Sequence, residues 1–349
     1  MTPMDTERHA KLNNFLKKIG LEAAIILPLA GDASFRHYNR IIDGEKSFIL
    51  MDAPPPQENV KPFIAIAKHL KCSGFSAPII YEKHIDDGFL LLEDLGDSTF
   101  NEVLKFNPAI EKALYKNAID CLVELHCKPL IKTLRIEKDT SYNIQYYDVN
   151  VMFEEFFLFV DWYLPEVSPN INLINKPHLK NLFGDLFGDW TPLLDTFVLR
   201  DFHSENLMHL EDRDGHTQVG LLDFQDAMIG HKAYDLVSLL KDARRDVPTN
   251  LEEAMITRFL KGHADICQPL DKDEFLRVYH LLGAGRNAKI IGIFTRLWKR
   301  DNKPQFLKLI PRVMAHLEKN LEHPALAPLK IWFEEVLPPI RRVAPNADT

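Results

Sequence analysis

Two kinds of hydrophobic spacing divide the chain. Residues 5–20 repeat apolar side chains at helical intervals, whereas residues 34–42 alternate apolar and polar positions as a strand does. The dipeptide Asp43-Gly44 then gives a strong hairpin signal, and residues 46–51 form the predicted return strand. The same patterns predict three further elements before residue 96: a helix over 63–70 and strands over 77–84 and 89–92.

After residue 96 the pattern is mainly helical, with predicted helices over 109–127 and 150–164 and from about 232 onward. Strand-like runs interrupt it between residues 197 and 224. We therefore expect an α+β protein with two lobes. Residues 1–93 are expected to form a small antiparallel-sheet lobe, and residues 94–349 a larger helical lobe.

Composition narrows the classes of partner. Hydrophobic residues make up 46% of the 349 positions and charged residues 26%, the balance of an ordinary globular enzyme. The net charge of −8 offers no basic field for a nucleic acid backbone. No apolar run approaches the ~20 residues that cross a bilayer, and the polar N-terminus lacks a signal peptide's apolar region. We expect a cytoplasmic protein with a small-molecule substrate, without a nucleic acid, membrane or obligate protein partner.

The four cysteines are scattered, with no C-x-x-C pair. This spacing argues against a disulfide framework and against a zinc site, and predicts reduced thiols in a cytosolic protein.

The informative polar segment begins at Asp201, which stands five residues before Asn206 in a D-x-x-x-x-N loop. An apolar strand ends at Asp223, and the predicted hairpin between Asn206 and Asp223 would bring these two residues together. Phosphoryl transfer uses such a set: one carboxylate orients the attacking hydroxyl, while an amide and a second carboxylate hold Mg²⁺ against the triphosphate of ATP. An aspartate before a polar turn is often only a cap, but the joint pattern favours catalysis.

At these residues the sequence resembles the aminoglycoside phosphotransferase-like branch of the protein-kinase superfamily. The resemblance implies a protein-kinase-like fold, with ATP in a cleft between the lobes. It also implies a catalytic role for Asp201, metal-binding roles for Asn206 and Asp223, and a structural role for Asp235, which would brace the catalytic loop.

Within that branch, several finer motifs resemble the anomeric sugar kinases of bacterial cell-wall recycling, which phosphorylate N-acetylmuramate and N-acetylglucosamine at C1. The motifs are Gly31-Asp-Ala-Ser-Phe-Arg-His-Tyr-Asn-Arg40, Leu91-Leu-Glu-Asp-Leu-Gly96, Asp161-Trp-Tyr163, Asp223-Phe-Gln-Asp-Ala227 and Tyr234-Asp-Leu-Val-Ser-Leu-Leu240.

Two features depart from the superfamily pattern. Leu199 stands where a histidine is usual, and the predicted third strand lacks the lysine that grips the α- and β-phosphates. Another cation must then meet the phosphates, and Arg36 and Arg40 are the candidates because an arginine fork binds phosphate bidentately. A solvated strand face is the plainer interpretation of both arginines.

The remaining predicted binding roles rest on less specific sequence signals. Gly31 and Ser34 lie in the loop expected at the phosphates, and Leu92, Glu93 and Leu95 in the hinge expected at adenine. The candidate substrate contacts are His203, Glu205, Asp226, Asp161, Trp162 and Arg286. Core packing is the commoner fate of such a tryptophan, and a surface ion pair of such an arginine.

Two rival functions stay open at this point. One is a kinase for a different small alcohol, such as an aminoglycoside or choline, since a fold alone does not define the substrate. The other is a pseudokinase that binds a nucleotide without catalysis. Leu199 and the missing lysine favour the pseudokinase slightly, whereas the intact set of Asp201, Asn206 and Asp223 favours an enzyme.

Overall fold

The structure is a computed structural model that describes residues 3–29, 35–168, 174–188 and 193–346, with side chains from residue 7 onward. The eleven strands in this part of the chain are β1 (Ile25–Pro28), β2 (His37–Asp43), β3 (Lys46–Asp52), β4 (Ile80–His84), β5 (Phe89–Glu93), β6 (Thr133–Glu137), β7 (Thr140–Asn143), β8 (Thr196–Val198), β9 (Leu207–His209), β10 (Val219–Leu221) and β11 (Met228–Gly230).

The α-helices in the described residues are α1 (Pro3–Lys18), α2 (Val60–Cys72), α3 (Phe100–Phe106), α4 (Glu111–His126), α5 (Val149–Leu158), α6 (Leu164–Val167), α7 (Lys176–Phe187), α8 (Ala233–Leu240), α9 (Thr249–Ile266), α10 (Lys272–Asp301), α11 (Ile310–Leu321) and α12 (Ala327–Val336). A π-helical segment, Phe159–Tyr163, joins α5 to α6.

The chain forms two compact units. The first comprises Met1–Val103, Ile131–Ile144 and Asn206–Asp226, and the second comprises Leu104–Leu130, Gln145–Glu205 and Ala227–Thr349. These units differ from the predicted lobes of residues 1–93 and 94–349. The physical reason lies in the hairpin β9–β10, which joins the first unit by a hydrogen bond from the Leu221 amide to the Ser76 carbonyl at 2.9 Å.

A five-stranded antiparallel sheet forms the first unit, in the order β1-β2-β3-β5-β4. Helix α1 covers one face of it, as the helical spacing predicts: Leu12 and Phe15 pack with Ile41, Leu50 and Phe89 of the sheet. The rings of Phe15 and Phe89 stack with their centroids 5.6 Å apart. The predicted hairpin is confirmed, but its two-residue loop is Gly44-Glu45 in place of the predicted Asp43-Gly44, since Asp43 still pairs with Lys46.

The second unit is built around α10, which packs against α5, α8 and α11. Asp271 caps the start of α10 by accepting the Glu274 amide proton at 2.9 Å, and Asn302 ends the helix in a left-handed conformation with φ 53°. Gly292 of α10 lies against the backbone of Leu158 and Phe159, where the π-helical segment begins. The predicted single helix over 150–164 is therefore three consecutive helical segments.

The expectation of four reduced thiols is wrong in this structure, in which Cys127 and Cys267 form a disulfide. Helices α4 and α9 pack side by side, and each cysteine follows the C-terminal end of its helix, so their Cα atoms lie 5.8 Å apart. This pairing joins residues 140 positions apart, and sequence spacing gives no signal of it. No helix in the described part of the chain has the length and hydrophobicity needed to cross a bilayer.

The contact at Gly292 gives a prediction for stability. A Cβ added at residue 292 would lie 2.2 Å from the backbone carbon of Leu158, so Gly292→Ala must displace backbone. We expect the free energy of unfolding to fall by about 1–3 kcal/mol. A denaturant titration measures it.

Gly184 of α7 is the matched control, because a Cβ added there meets no atom within 4 Å. Gly184→Ala should be neutral or stabilising by up to about 1 kcal/mol, since alanine favours a helix. Equal stability of the two variants would contradict the close approach at residue 292.

Candidate functional site

A cavity of about 660 Å³ lies within the first unit. Every described residue that lines it belongs to that unit. Eight of the candidate residues predicted from the sequence line this cavity. They include the two predicted phosphate-binding arginines, the predicted hinge residues and the predicted metal-binding residues: Arg36, Arg40, Leu92, Glu93, Leu95, Asn206, Asp223 and Asp226. The predicted phosphate-loop residues Gly31 and Ser34 lie outside the described residues.

Arg40 is held in ion pairs at the cavity wall. Its Nε donates to Oδ2 of Asp94 at 2.7 Å, and its Nη2 donates to Oδ1 of Asp97 at 2.8 Å. Asp94 also accepts the hydroxyl of Ser47 and the amide proton of Gly96, the latter at 2.9 Å. Burial alone would raise the pKa of Asp94, but these hydrogen bonds and the arginine lower it. Arg40 thus braces the segment after β5, and its predicted phosphate contact stays a prediction.

Arg36 lies just before β2 and pairs with Glu58 across 3.0 Å. Both side chains are about nine-tenths buried, at 11% and 13% exposed. Glu58 also accepts the backbone amide proton of Phe35 at 3.3 Å, so it fastens the chain where β2 begins. Arg36 and Arg40 are the two cationic side chains among the described residues of the cavity wall, and each forms an ion pair with a carboxylate there.

The hairpin β9–β10 places the two predicted metal-binding residues side by side. Nδ2 of Asn206 donates to Oδ2 of Asp223 at 3.4 Å, and the Leu222 amide donates to the Asn206 carbonyl at 3.0 Å. Gln225, which the sequence analysis did not single out, donates to Oδ1 of Asp223 at 2.6 Å. Asp223 has a left-handed backbone with φ 54°, a conformation that costs energy and recurs at functional sites. Adjacent carboxylate and amide oxygens fit a magnesium ion.

The predicted catalytic loop belongs to the second unit and begins after β8. Asp235 of α8 accepts the amide protons of Leu199 at 2.7 Å and of Arg200 at 2.8 Å. Asp235 is fully buried, and the imidazole of His126 lies 3.9 Å from its carboxylate. These are the contacts that the predicted bracing role requires. Because the bond at residue 199 uses only the backbone, leucine can occupy that position.

Asp201 lies among cationic groups. Nη2 of Arg286 is 3.4 Å from Oδ1 of Asp201, and the carboxylate side chain keeps 35% of its surface exposed. Burial acts to raise the pKa of Asp201, but Arg286, Lys289, His203 and Arg200 outweigh it and lower the pKa to about 2. Asp201 is therefore ionised at neutral pH and is accessible to an incoming hydroxyl group.

Glu155 is the buried residue that sequence reasoning missed in this region. Its carboxylate accepts hydrogen bonds from Lys289 at 2.6 Å, from the Tyr147 hydroxyl at 2.8 Å and from Arg200. The only signal in the sequence is a pair of acidic residues inside an otherwise apolar, aromatic stretch.

The predicted substrate contacts fall in both units. In the second unit, Arg286 is 5% exposed and also donates to the Tyr234 hydroxyl at 3.3 Å. His203 is buried, and Glu205 pairs with Arg244 at 2.7 Å. Asp161 pairs with Lys176 at the surface at 2.8 Å, beside the half-buried Trp162. In the first unit, Asp226 is at the cavity wall.

Comparison with known proteins identifies the protein family to which this chain belongs. The model of the phosphotransferase enzyme family matches residues 25–270. The chain belongs to this family of phosphotransferases.

Two relatives carry the same name, N-acetylmuramate/N-acetylglucosamine kinase. The protein from Caulobacter vibrioides is 34% identical to this chain, across 96% of this chain and 98% of the relative. The protein from Pseudomonas aeruginosa is 35% identical, across 88% of this chain and 87% of the relative.

Solved structures show the fold. A choline/ethanolamine kinase family protein from Mesorhizobium loti has a TM-score of 0.58 at 14% identity, covering 93% of this chain and 96% of that one. An ADP-bound aminoglycoside phosphotransferase has a TM-score of 0.56 at 13% identity, covering 92% and 98%. The expected protein-kinase-like α+β fold is confirmed.

The contact between Arg286 and Asp201 predicts a pH effect. Arg286 stabilises the charged carboxylate, so Arg286→Met should raise the pKa of Asp201 from about 2 toward or above its ordinary value of 3.8. When Asp201 acts as the base, the decline of kcat/KM at acidic pH (the acid limb) should begin at a higher pH in Arg286→Met than in the wild type. The pH profile is recorded over the range in which the protein stays folded.

Arg286→Lys is the control, since it keeps the positive charge and should leave the limb near its wild-type position. An unchanged acid limb in a turning-over Arg286→Met enzyme would contradict this electrostatic assignment.

Proposed function

We propose that this protein is an ATP-dependent kinase that phosphorylates the anomeric hydroxyl of N-acetylmuramate and N-acetylglucosamine. The observation that carries the proposal is the 34% identity, over 96% of this chain, to a kinase named for these two sugars. The D-x-x-x-x-N loop at Asp201 and the cavity in the first unit supply the groups that such a reaction needs.

The cavity of the first unit is the nucleotide site in this proposal. Adenine lies against Leu92, Glu93 and Leu95, and Arg36 meets the phosphates. Glu93 is fixed for this purpose, because Arg213 donates to its Oε1 at 2.7 Å. Gly31 and Ser34 remain predicted phosphate contacts.

Asn206 and Asp223 would hold Mg²⁺, which supplies positive charge against the phosphates when it is bound. Gln225, through its hydrogen bond to Asp223, keeps that carboxylate in one orientation. In this proposal the charge of Arg36, one of the two arginines among the described residues of the cavity wall, supplements the metal.

Asp201 orients the sugar hydroxyl and accepts its proton. The anomeric oxygen forms a bond to the γ-phosphorus, the bond from that phosphorus to the β-phosphate oxygen breaks, and ADP leaves. A carboxylate with a pKa of about 2 is a weak base. The proton is therefore transferred late, and the rate gain comes mainly from positioning and electrostatics.

Arg286 is proposed to meet the carboxylate that distinguishes N-acetylmuramate from N-acetylglucosamine, because a guanidinium group suits a carboxylate. His203, Glu205 and Asp226 are proposed for the sugar hydroxyls. Asp161 and Trp162 are the weakest candidates, since Asp161 is paired with Lys176 at the surface. A small-molecule substrate and a cytoplasmic location complete the proposal.

A substrate panel tests the function. ADP release with Mg-ATP is measured with N-acetylmuramate, N-acetylglucosamine, kanamycin and choline, the last two because solved relatives of this fold include aminoglycoside and choline kinases. We expect turnover with the two amino sugars and an acid-labile, alkali-stable sugar phosphate as product. Turnover with kanamycin or choline alone contradicts the sugar specificity, and Mg-ATP binding without any turnover favours a regulatory protein.

Two substitutions test the roles of the carboxylates. Asp201→Asn and Asp223→Ala should fold but lose activity, the first by about 10²–10⁴-fold in kcat, the usual contribution of a positioned base. Asp212→Asn is the matched control, an exposed aspartate on the hairpin between the two metal-binding residues, and it should retain wild-type kcat. Retained activity in either carboxylate variant would contradict the assigned role.

A further inference from the structure

A buried ionic cluster surrounds Glu155 in the second unit. The Glu155 side chain is 13% exposed and receives three donors: Lys289 at 2.6 Å, the Tyr147 hydroxyl at 2.8 Å, and Arg200. Lys289 and Arg200 are themselves only 12% and 17% exposed. Because buried charges are costly unless paired, this cluster depends on the Glu155 carboxylate as its common acceptor.

The donors to Glu155 come from elements that also surround Asp201. Arg200 is the residue immediately before Asp201, and Lys289 follows Arg286 by three residues on α10, so both face the same side of that helix. Arg286 contacts Asp201, whereas Lys289 contacts Glu155. Helix α10 thus directs one cation to each of the two carboxylates.

The same cations act electrostatically on both carboxylates. Burial works to raise the pKa of Glu155, but Lys289 and Arg200 lower it, so Glu155 is charged at neutral pH. Arg286, Lys289, His203 and Arg200 all lower the pKa of Asp201 against the effect of its burial. Arg200 and Lys289 therefore act on both carboxylates, and both donate hydrogen bonds to Glu155.

We infer that Glu155 is a positioning residue for phosphoryl transfer, a role that rests on the proposed function. By binding Arg200 and Lys289, Glu155 competes with Asp201 for these cations. The Asp201 side chain then keeps the 35% of its surface that is exposed and that a substrate hydroxyl can reach. The Tyr147 hydroxyl fixes the second oxygen of Glu155, and the Tyr147 ring lies 4.6 Å from that of Tyr234, the residue that also receives Arg286.

Glu155→Gln is the first test. The amide keeps the shape and an acceptor oxygen but removes the charge, so Arg200 and Lys289 should turn toward Asp201. We expect kcat to fall about 10–100-fold, a smaller loss than the roughly 10²–10⁴-fold contribution of a positioned base itself, while KM for ATP and the affinity for ADP stay within about twofold. Steady-state kinetics and calorimetric ADP binding measure the two effects.

Glu154→Gln is the matched control. It removes the same charge from the neighbouring, exposed position of α5 and should leave kcat unchanged. Wild-type turnover of the amino sugars in the same assay tests the proposed function separately. If the wild-type enzyme phosphorylates the amino sugars and Glu155→Gln keeps full kcat, the positioning role of Glu155 is contradicted while the proposed function stands.

A charge-balanced double variant separates positioning from simple stability. Glu155→Gln with Lys289→Gln restores the net charge of the cluster, and we expect at least a fivefold recovery of kcat over Glu155→Gln. Thermal unfolding is recorded for each variant, and the double variant supplies a folded protein if the single one fails to fold. No recovery of kcat in a folded double variant contradicts the positioning role.

Discussion

The buried Asp235 carboxylate is the interaction on which the catalytic loop depends. It accepts the amide protons of Leu199 and Arg200 and is fully removed from solvent. Hydrogen bonds to a charged group contribute about 1.5–3 kcal/mol each. Two of them offset the cost of the left-handed backbone of Arg200, with φ 70°, which is of order 1–3 kcal/mol. The directions of the Arg200 and Asp201 side chains follow from that fixed backbone.

In each unit, cationic side chains near the candidate site are held in ion pairs with carboxylates. Glu58 holds Arg36 and Asp94 holds Arg40 at the cavity of the first unit, and Glu155 holds Lys289 in the second. The described cavity wall carries six carboxylates and two guanidinium groups. In the proposed function, a metal ion and Arg36 would offset this excess of negative charge when a polyphosphate binds.

Local patterns predicted several of the elements and the candidate catalytic and metal-binding residues. Asp201, Asn206 and Asp223 were readable because a five-residue spacing and a hairpin are short-range features. The fold class followed from the change of hydrophobic period near residue 96. Sequence reasoning also predicted Arg40 as a phosphate contact, and the structure places Arg40 at the cavity wall, in ion pairs with Asp94 and Asp97.

Long-range pairings were not predictable. The disulfide between Cys127 and Cys267 and the contact of Glu155 with Lys289 join residues more than 100 positions apart, and no spacing rule encodes them. The packing of β9–β10 with the first unit is of the same kind, because the hydrogen bond between Leu221 and Ser76 depends on the tertiary fold.

The position of the transferred phosphate tests the central claim most directly. The product formed from Mg-ATP and N-acetylmuramate is examined by a phosphorus–proton correlation NMR experiment. Transfer to the anomeric oxygen predicts a phosphorus signal that is coupled to the proton at C1. Coupling to protons at another ring position, or release of inorganic phosphate alone, would contradict an anomeric sugar kinase.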